Sequence, residues 1–290
     1  MNYLILGGNG YLGSRVISKL LCTDDNARIV VTARSMSNLR FAEEERVSYI
    51  STLNEEIASS MDENDFDIVL NFSCCYGRDN LLENNICEAN IIFPLYVLNL
   101  AVEKNIKKFM TIDTALPDRL NMYTFTKTVF REFGKFYCDN HNLDFYNLEL
   151  QMFYASDEPL DRFIPQAVAD MINGKQVLTT VGTQKRDIIS VDDVVEGIIC
   201  VINSGLKGYN SIPIGTSIAP AVSELIDFIR EETGNKSEVI KGAVPMREYE
   251  PDCIADISAI SKLCKWEPVY WKDGIRKMIA EMTERLTGNK

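Results

Sequence analysis

The stretch NYLILGGNGYLGSRVISKLL, Asn2 to Leu21, decides the fold. Asn2–Leu6 is an apolar run of strand length. Gly7, Gly10 and Gly13 follow at once, spaced by three. From Ser14 onward the apolar residues Val16, Ile17, Leu20 and Leu21 fall at helical spacing. Strand, glycine turn and helix in that order form a cradle for a pyrophosphate. Gly7 makes the tight turn, Gly10 lets the phosphates approach the backbone, and Gly13 lets helix and strand pack closely. The start of the helix adds partial positive charge at Tyr11 and Leu12.

The rest of the chain repeats the alternation. Arg28–Ala33 reads as a second strand, Val47–Ile50 as a third, Asp67–Ser73 as a fourth and Phe109–Asp113 as a fifth. A long helix is expected from Leu82 to Lys104, kinked or restarted at Pro94. Another is expected from Met122 to Asn140, and a sixth strand from Phe145 to Leu150. Strands alternating with helices over this length imply an α/β, Rossmann-type doubly wound parallel sheet with a smaller C-terminal lobe. Beyond residue 150 the pattern loosens. Helices are expected over Arg162–Asn173, Val194–Asn203 and Ala221–Thr233, and after Asp273; strands over Val177–Val181 and Tyr209–Gly215; and a polar loop around 247–252.

Composition sets bounds. The chain has 290 residues, 46% of them hydrophobic and 25% charged, enough for a substantial core. A net charge of −12 argues against nucleic acid as a partner, because phosphate backbones want a basic face. The single histidine, His141, cannot anchor a His-rich metal site, so no metal is expected. The 8 cysteines include no Cys-x-x-Cys and read as reduced, mostly buried thiols. No uncharged apolar run reaches the roughly 18 residues of a membrane span. Met1 leads straight into the glycine loop without a signal peptide, so a cytoplasmic location is expected.

Ligands of such sheets gather at the carboxyl ends of the strands. After the second strand no carboxylate is present to hold ribose hydroxyls; Arg34 and Ser35 stand there and could clasp a 2′-phosphate. NADP(H) is therefore favoured, with NAD(H) as the alternative and a solvated loop arginine as the bland reading of Arg34. Phe72, Ser73 and Cys74 end the fourth strand and could flank the cofactor. Thr114 ends the fifth. Tyr123 and Lys127, four apart, share one face of the next helix. A lysine beside a phenol lowers the phenol's pKa, which suits a tyrosine to acid–base work.

In combination these motifs resemble the extended short-chain dehydrogenase/reductases, the nucleotide-sugar epimerase/dehydratase group. The matching residues, in order, are Gly7-x-x-Gly10-x-x-Gly13, Asn90, Thr114, Tyr123-x-x-x-Lys127, Arg186-Asp-Ile-Ile-Ser-Val-Asp-Asp193 and Trp266-Glu-Pro268. The resemblance implies a cofactor domain over 1–150 with about 187–215, and a nucleotide-sugar lobe over 151–186 and 216–290. It implies Tyr123 as acid/base, Lys127 as its partner and as a holder of the nicotinamide ribose, and Thr114 against the sugar oxygen. Arg186 and Arg247 would meet the diphosphate, with Gln151, Arg162 and Phe163 also at the substrate. For Arg186 the alternative is a structural ion pair with Asp187 or Asp192. Asn90 is either a cofactor contact or a polar anchor inside its helix. A homodimer through the helix carrying Tyr123, using Phe125, Val129, Phe133 and Phe136, is possible within the resemblance.

The departures are informative. Only 9 residues separate Thr114 from Tyr123. Glu149, Met152 and Ala155 replace the Arg, Asn and Gly usual in the group. Ala115 and Leu116 occupy the place where dehydratases of the group carry an Asp-Glu pair, so dehydration is not expected. The compact DTALP run at 113–117 looks most like the CDP-abequose synthase-type 4-ketoreductases. The expected reaction is NADPH-dependent reduction of a 4-keto group on a nucleoside-diphosphate hexose. An epimerase and a non-catalytic NADP-binding regulator are the alternatives.

Overall fold

The computed structural model describes residues 1–77, 81–247 and 250–288. Two compact units divide them: Met1–Glu149 with Val195–Ile212, and Leu150–Val194 with Pro213 to the C-terminal end. Residues 187–194 and 213–215, expected in the cofactor domain, group with the second unit.

In chain order the elements are β1 (Asn2–Leu6), α1 (Tyr11–Thr23), β2 (Arg28–Ala33), β3 (Val47–Ser51), α2 (Asn54–Glu63) and β4 (Ile68–Asn71). Then come α3 (Glu83–Cys87), a π-helical turn (Glu88–Ile92), α4 (Phe93–Glu103), β5 (Lys108–Thr114), α5 (Met122–Asn140) and β6 (Asp144–Leu150). Next are β7 (Met152–Tyr154), α6 (Phe163–Ile172), β8 (Val177–Thr179), β9 (Ile188–Ser190), α7 (Val191–Ile202) and β10 (Tyr209–Ile214). Last are α8 (Val222–Glu232), β11 (Val239–Lys241), α9 (Ser258–Leu263) and α10 (Trp271–Thr287).

Seven strands form the main sheet in the order β10-β6-β5-β4-β1-β2-β3. The pairs β1–β2, β2–β3, β1–β4 and β4–β5 are parallel. The order reverses between β1 and β4, and a crevice at such a reversal is where doubly wound sheets take ligands. The central strands are apolar on both faces, as burial between helical layers requires. Leu4, Leu6, Val69, Phe109 and Phe145 lie in one core with Val97, Leu98 and Phe130 from the helices. Phe109 and Phe145 stack at 5.5 Å between ring centroids. The second unit has its own core, in which Tyr154, Ile164, Val168, Phe228, Trp271 and Ile275 pack. Two small parallel pairs, β7–β9 and β8–β11, belong to it.

The helix expected over 82–104 passes through the π-helical turn, and α4 restarts after it with Pro94 in its first turn, as the restart reading has it. Proline has no N–H to return to the preceding turn, so the widened turn falls just before it. The continuous helical stretch Glu83–Glu103 is long and apolar enough to cross a membrane, with mean hydropathy 1.4. Its α4 half buries Val97, Leu98, Leu100 and Ala101 in the core of the first unit, which accounts for that composition. On α5, Phe125 and Phe136 are exposed. The expectation of buried, reduced thiols holds only in part. Cys22 and Cys74 are exposed, Cys253 is buried, and Cys200 and Cys264 are not free thiols. Of the polar loop at 247–252, residues 248 and 249 lie outside the described residues.

Candidate active site

The glycine loop is built for close approach. Gly7 has φ +71°, and a Cβ there would lie 2.8 Å from the Ser73 amide nitrogen. A Cβ on Gly13 would lie 2.7 Å from the Gly7 carbonyl oxygen. Gly10 donates its N–H to that same carbonyl at 3.0 Å and serves as the N-cap of α1. No side chain caps α1, and no acidic residue stands in its first turn. The start of α1 therefore presents backbone N–H groups and partial positive charge on the side of the glycine loop.

The loop after β2 is tied to this cradle. Asn9 donates its amide to the Asn38 carbonyl at 3.3 Å and accepts the Arg40 N–H at 3.0 Å. Arg34, Ser35 and Arg40 are exposed on that loop. Arg34 was legible from its place after the strand. Arg40 and Asn9 were not, because the contact that recruits them spans 31 residues.

At the end of β4, Asn71 donates to the Thr111 hydroxyl at 3.1 Å and accepts the Ser73 N–H at 3.1 Å and the Ser73 hydroxyl. Phe72 pairs with Leu6 through its N–H at 2.8 Å. The chain then meets Asn90. Asn90 accepts the Cys75 N–H at 2.8 Å and donates to the Cys75 carbonyl at 2.9 Å and the Thr126 hydroxyl at 3.0 Å. It is 1% exposed. Of its two sequence readings, the structure therefore supports the polar anchor: it ties the loop after β4 to α5.

Thr114 and Tyr123 come together. The Thr114 N–H bonds Asp113 Oδ1 at 2.8 Å, and the Thr114 side chain lies close enough to the Tyr123 phenol to act on its pKa. A capping box fixes the start of α5: Asn121 accepts the Thr124 N–H at 3.0 Å while the Thr124 hydroxyl accepts the Asn121 N–H at 3.2 Å. The Tyr76 ring lies 5.0 Å from the Tyr123 ring. Lys127 is buried and donates its ammonium to the Ile112 carbonyl at 2.8 Å.

One expectation is overturned here. The Tyr123 phenol is not lowered toward neutrality. Burial pushes it well above the usual tyrosine value, Cys74, Tyr76 and Asp113 add to the rise, and the Thr114 hydroxyl pulls the other way. The phenol is a proton donor across the neutral range.

The remaining candidates lie in the second unit. Arg186 is 6% exposed and committed to protein contacts. It bonds the carbonyls of Lys185 at 2.9 Å and Pro251 at 2.6 Å, and pairs with Glu250 at 2.8 Å. The alternative reading, a structural ion pair with Asp187 or Asp192, is realised with a different partner, Glu250. Asp187 is fully buried and accepts the Thr216, Ser217 and Ala255 N–H groups and the Thr216 hydroxyl. Gln151 is buried and bonds the Ile214 carbonyl through its N–H at 3.0 Å. Arg162 precedes α6 as its N-cap, and Phe163, first in that helix, is exposed, as is Arg247. Trp266 donates to the Asp193 carbonyl at 3.0 Å, a structural use of the Trp266-Glu-Pro268 segment.

A glycine-lined helix start at the order reversal of a parallel sheet, with a Tyr–Lys pair on the helix after β5, defines a dinucleotide-binding enzyme of the short-chain dehydrogenase/reductase class. The chain belongs to the NAD dependent epimerase/dehydratase family, whose model matches residues 3–215. It is 24% identical to a CDP-abequose synthase of Salmonella typhimurium, over 96% of this chain and 97% of that one. Among solved structures it is similar to the UDP-glucose 4-epimerase of Thermotoga maritima, crystallised with UDP-glucose, with a TM-score of 0.83 and 20% identity over 99% and 100% of the two chains. It is similar also to the UDP-glucuronic acid 4-epimerase of Bacillus cereus in complex with UDP-glucuronic acid and NAD, with a TM-score of 0.82 and 20% identity over 99% and 100%.

Proposed function

We propose that the protein reduces a 4-keto group on a nucleoside-diphosphate deoxyhexose, using NADPH. The observation that carries this reading is the grouping of Thr114, at the end of β5, with Tyr123 and the buried Lys127 on α5, where burial pushes the Tyr123 phenol above the usual tyrosine value. Reduction of a ketone needs a proton on the new alkoxide, and Tyr123 has one to give. Thr114 orients the carbonyl oxygen toward that phenol, and Lys127 braces the helix that carries it. When bound, the reduced nicotinamide supplies the hydride. Gly7, Gly10, Tyr11, Leu12 and Gly13 hold its pyrophosphate, a role that fits the absence of room for a Cβ and the uncapped start of α1. Phe72, Ser73 and Cys74 flank it. Arg34, Ser35 and Arg40 take the 2′-phosphate, where no carboxylate stands to repel it. The second unit receives the nucleotide sugar through Gln151, Arg162, Phe163, Arg186 and Arg247.

Ala115 and Leu116, beside Thr114, offer neither the acid nor the base that dehydration requires. Similarity to a CDP-abequose synthase supports the ketoreductase branch. Epimerisation is the second reading, favoured by the two 4-epimerase structures. It asks Tyr123 to accept a proton before returning it, which the raised phenol opposes.

The test is to mix the protein with NADPH and a 4-keto nucleoside-diphosphate hexose. Stoichiometric loss of the near-ultraviolet absorbance of NADPH is expected; interconversion of hexoses without added reductant would replace reduction by epimerisation. Tyr123→Phe should keep NADPH binding and lose about 10²- to 10⁴-fold in turnover, the usual worth of a positioned acid. Full activity in that variant would overturn the assignment.

A further inference from the structure

Tyr123, Lys127 and Arg131 recur every fourth residue on α5 and so share one face. That face grips the end of β5 at two successive residues, just before Thr114. Lys127 holds the Ile112 carbonyl at 2.8 Å and Arg131 meets the Asp113 carboxylate at 3.1 Å. Neither contact was foreshadowed by the Tyr-x-x-x-Lys spacing, which pointed Lys127 at the phenol.

Arg131 does more than neutralise Asp113. Its other terminal nitrogen pairs with Asp118 at 2.7 Å, across the short connection that leads from Thr114 back to α5. One guanidinium thus spans the strand end and the turn that follows it. Asp113 is 4% exposed, and its remaining acceptors are used by the Thr114 N–H at 2.8 Å and the Asn147 amide at 2.9 Å. Asn147 also bonds the Ser211 hydroxyl at 3.0 Å; Ser211 bonds Glu149, and Glu149 lies 3.9 Å from Arg131. The buried carboxylate is therefore satisfied from β5, β6 and α5, as a charge inside a protein must be. Because Asp113 Oδ1 holds the Thr114 amide, any movement of Asp113 moves Thr114.

We propose that Arg131 is a positioning residue: through Asp113 and Asp118 it straps the Thr114–Asp118 segment to α5 and keeps Thr114 beside the Tyr123 phenol. Its catalytic consequence rests on the ketoreductase reading; the strap itself does not. The short connection makes the strap necessary, because Thr114 and Pro117 stand next to the site with no longer loop to buttress them.

The test uses the full chain. Arg131→Met combined with Asp113→Asn removes both charges and leaves no lone buried carboxylate. We expect kcat to fall about 10- to 100-fold with KM for NADPH within about twofold, since small misplacements near reacting groups have costs of that order. We also expect faster amide hydrogen exchange over residues 114–120. Arg131→Lys keeps the charge but not the fork, and should recover part of kcat. A double variant with wild-type kcat and unchanged exchange would show that Arg131 is merely a counter-charge. If the double variant does not fold, Arg131→Lys alone decides: a lowered kcat with unchanged KM supports the strap, and wild-type kcat overturns it. If the wild-type protein reduces no 4-keto nucleotide, the ketoreductase reading falls. The exchange measurement then judges the strap: faster exchange in the variant supports it, and unchanged exchange overturns it.

Discussion

A phenol that stays protonated at neutral pH can give a proton readily and take one only with difficulty, and Tyr123 is such a phenol. The protonated form is the active one for ketone reduction. With the phenol raised above the usual value of about 10, that form persists through pH 9, so the alkaline limb of kcat for reduction should be flat there. The reverse reaction, oxidation of the alcohol, needs the phenolate, and its rate should rise about tenfold per pH unit over the same range. Initial rates in both directions from pH 6 to 9 check this; a reduction rate that falls above pH 8 would contradict it. Thr114 and Tyr123 were legible as candidates because a strand end and a helical spacing point to them. The sign of the shift was not, because it is set by burial and by Cys74 and Tyr76, which lie some fifty residues earlier in the chain.

Elements were legible where local chemistry fixes their ends. The bounds expected for α5, Met122–Asn140, are those observed, because Asn121 and Thr124 form a capping box and His141 closes the helix. β1 and α1 were legible from the glycines between them. α2 was not anticipated: it buries only Ile57, Ser60 and Met61, too few apolar residues to show a period. The π-helical turn was hidden for another reason. Its purpose is to aim Asn90 at Cys75 and Thr126, contacts that lie 15 and 36 residues away. Asn90→Leu should leave those groups without a partner and cost about 1–3 kcal/mol, measurable by urea denaturation, while keeping the sheet intact. The loop after β2 carries a functional counterpart. Arg34→Ser with Arg40→Ser should weaken NADPH binding by about tenfold or more, the worth of one charge-assisted hydrogen bond, and leave NADH binding within twofold. Titration of both nucleotides decides between a phosphate clasp and two solvated arginines.

At the scale of the whole molecule, the two units carry different parts of the proposed reaction, and each can be tested by its own ligand. The first holds the glycine loop and Thr114, Tyr123 and Lys127; the second holds Gln151, Arg162, Phe163, Arg186 and Arg247. The sheet unit was the more legible, because the alternation of strand and helix repeats there. The second unit is knitted by long-range polar contacts such as Asp187 with Thr216 and Ala255, which leave no periodic trace. Arg186 shows what this means for function. Its guanidinium already pairs with Glu250 and two carbonyls, so a diphosphate that binds Arg186 must compete with the Glu250 carboxylate. Removing that competitor while keeping its shape should favour the ligand. Glu250→Gln is therefore expected to bind a nucleoside diphosphate several-fold more tightly than the wild type, at about 0.8 kcal/mol per fourfold change. Thermal shift with CDP and UDP reads this directly, because a ligand at 100 times its Kd adds roughly 2.7 kcal/mol to stability. NADPH serves as the control and should stabilise both proteins equally. If Glu250→Gln binds the diphosphate no better, or worse, Arg186 is a strut of the second unit and the diphosphate is held by other groups.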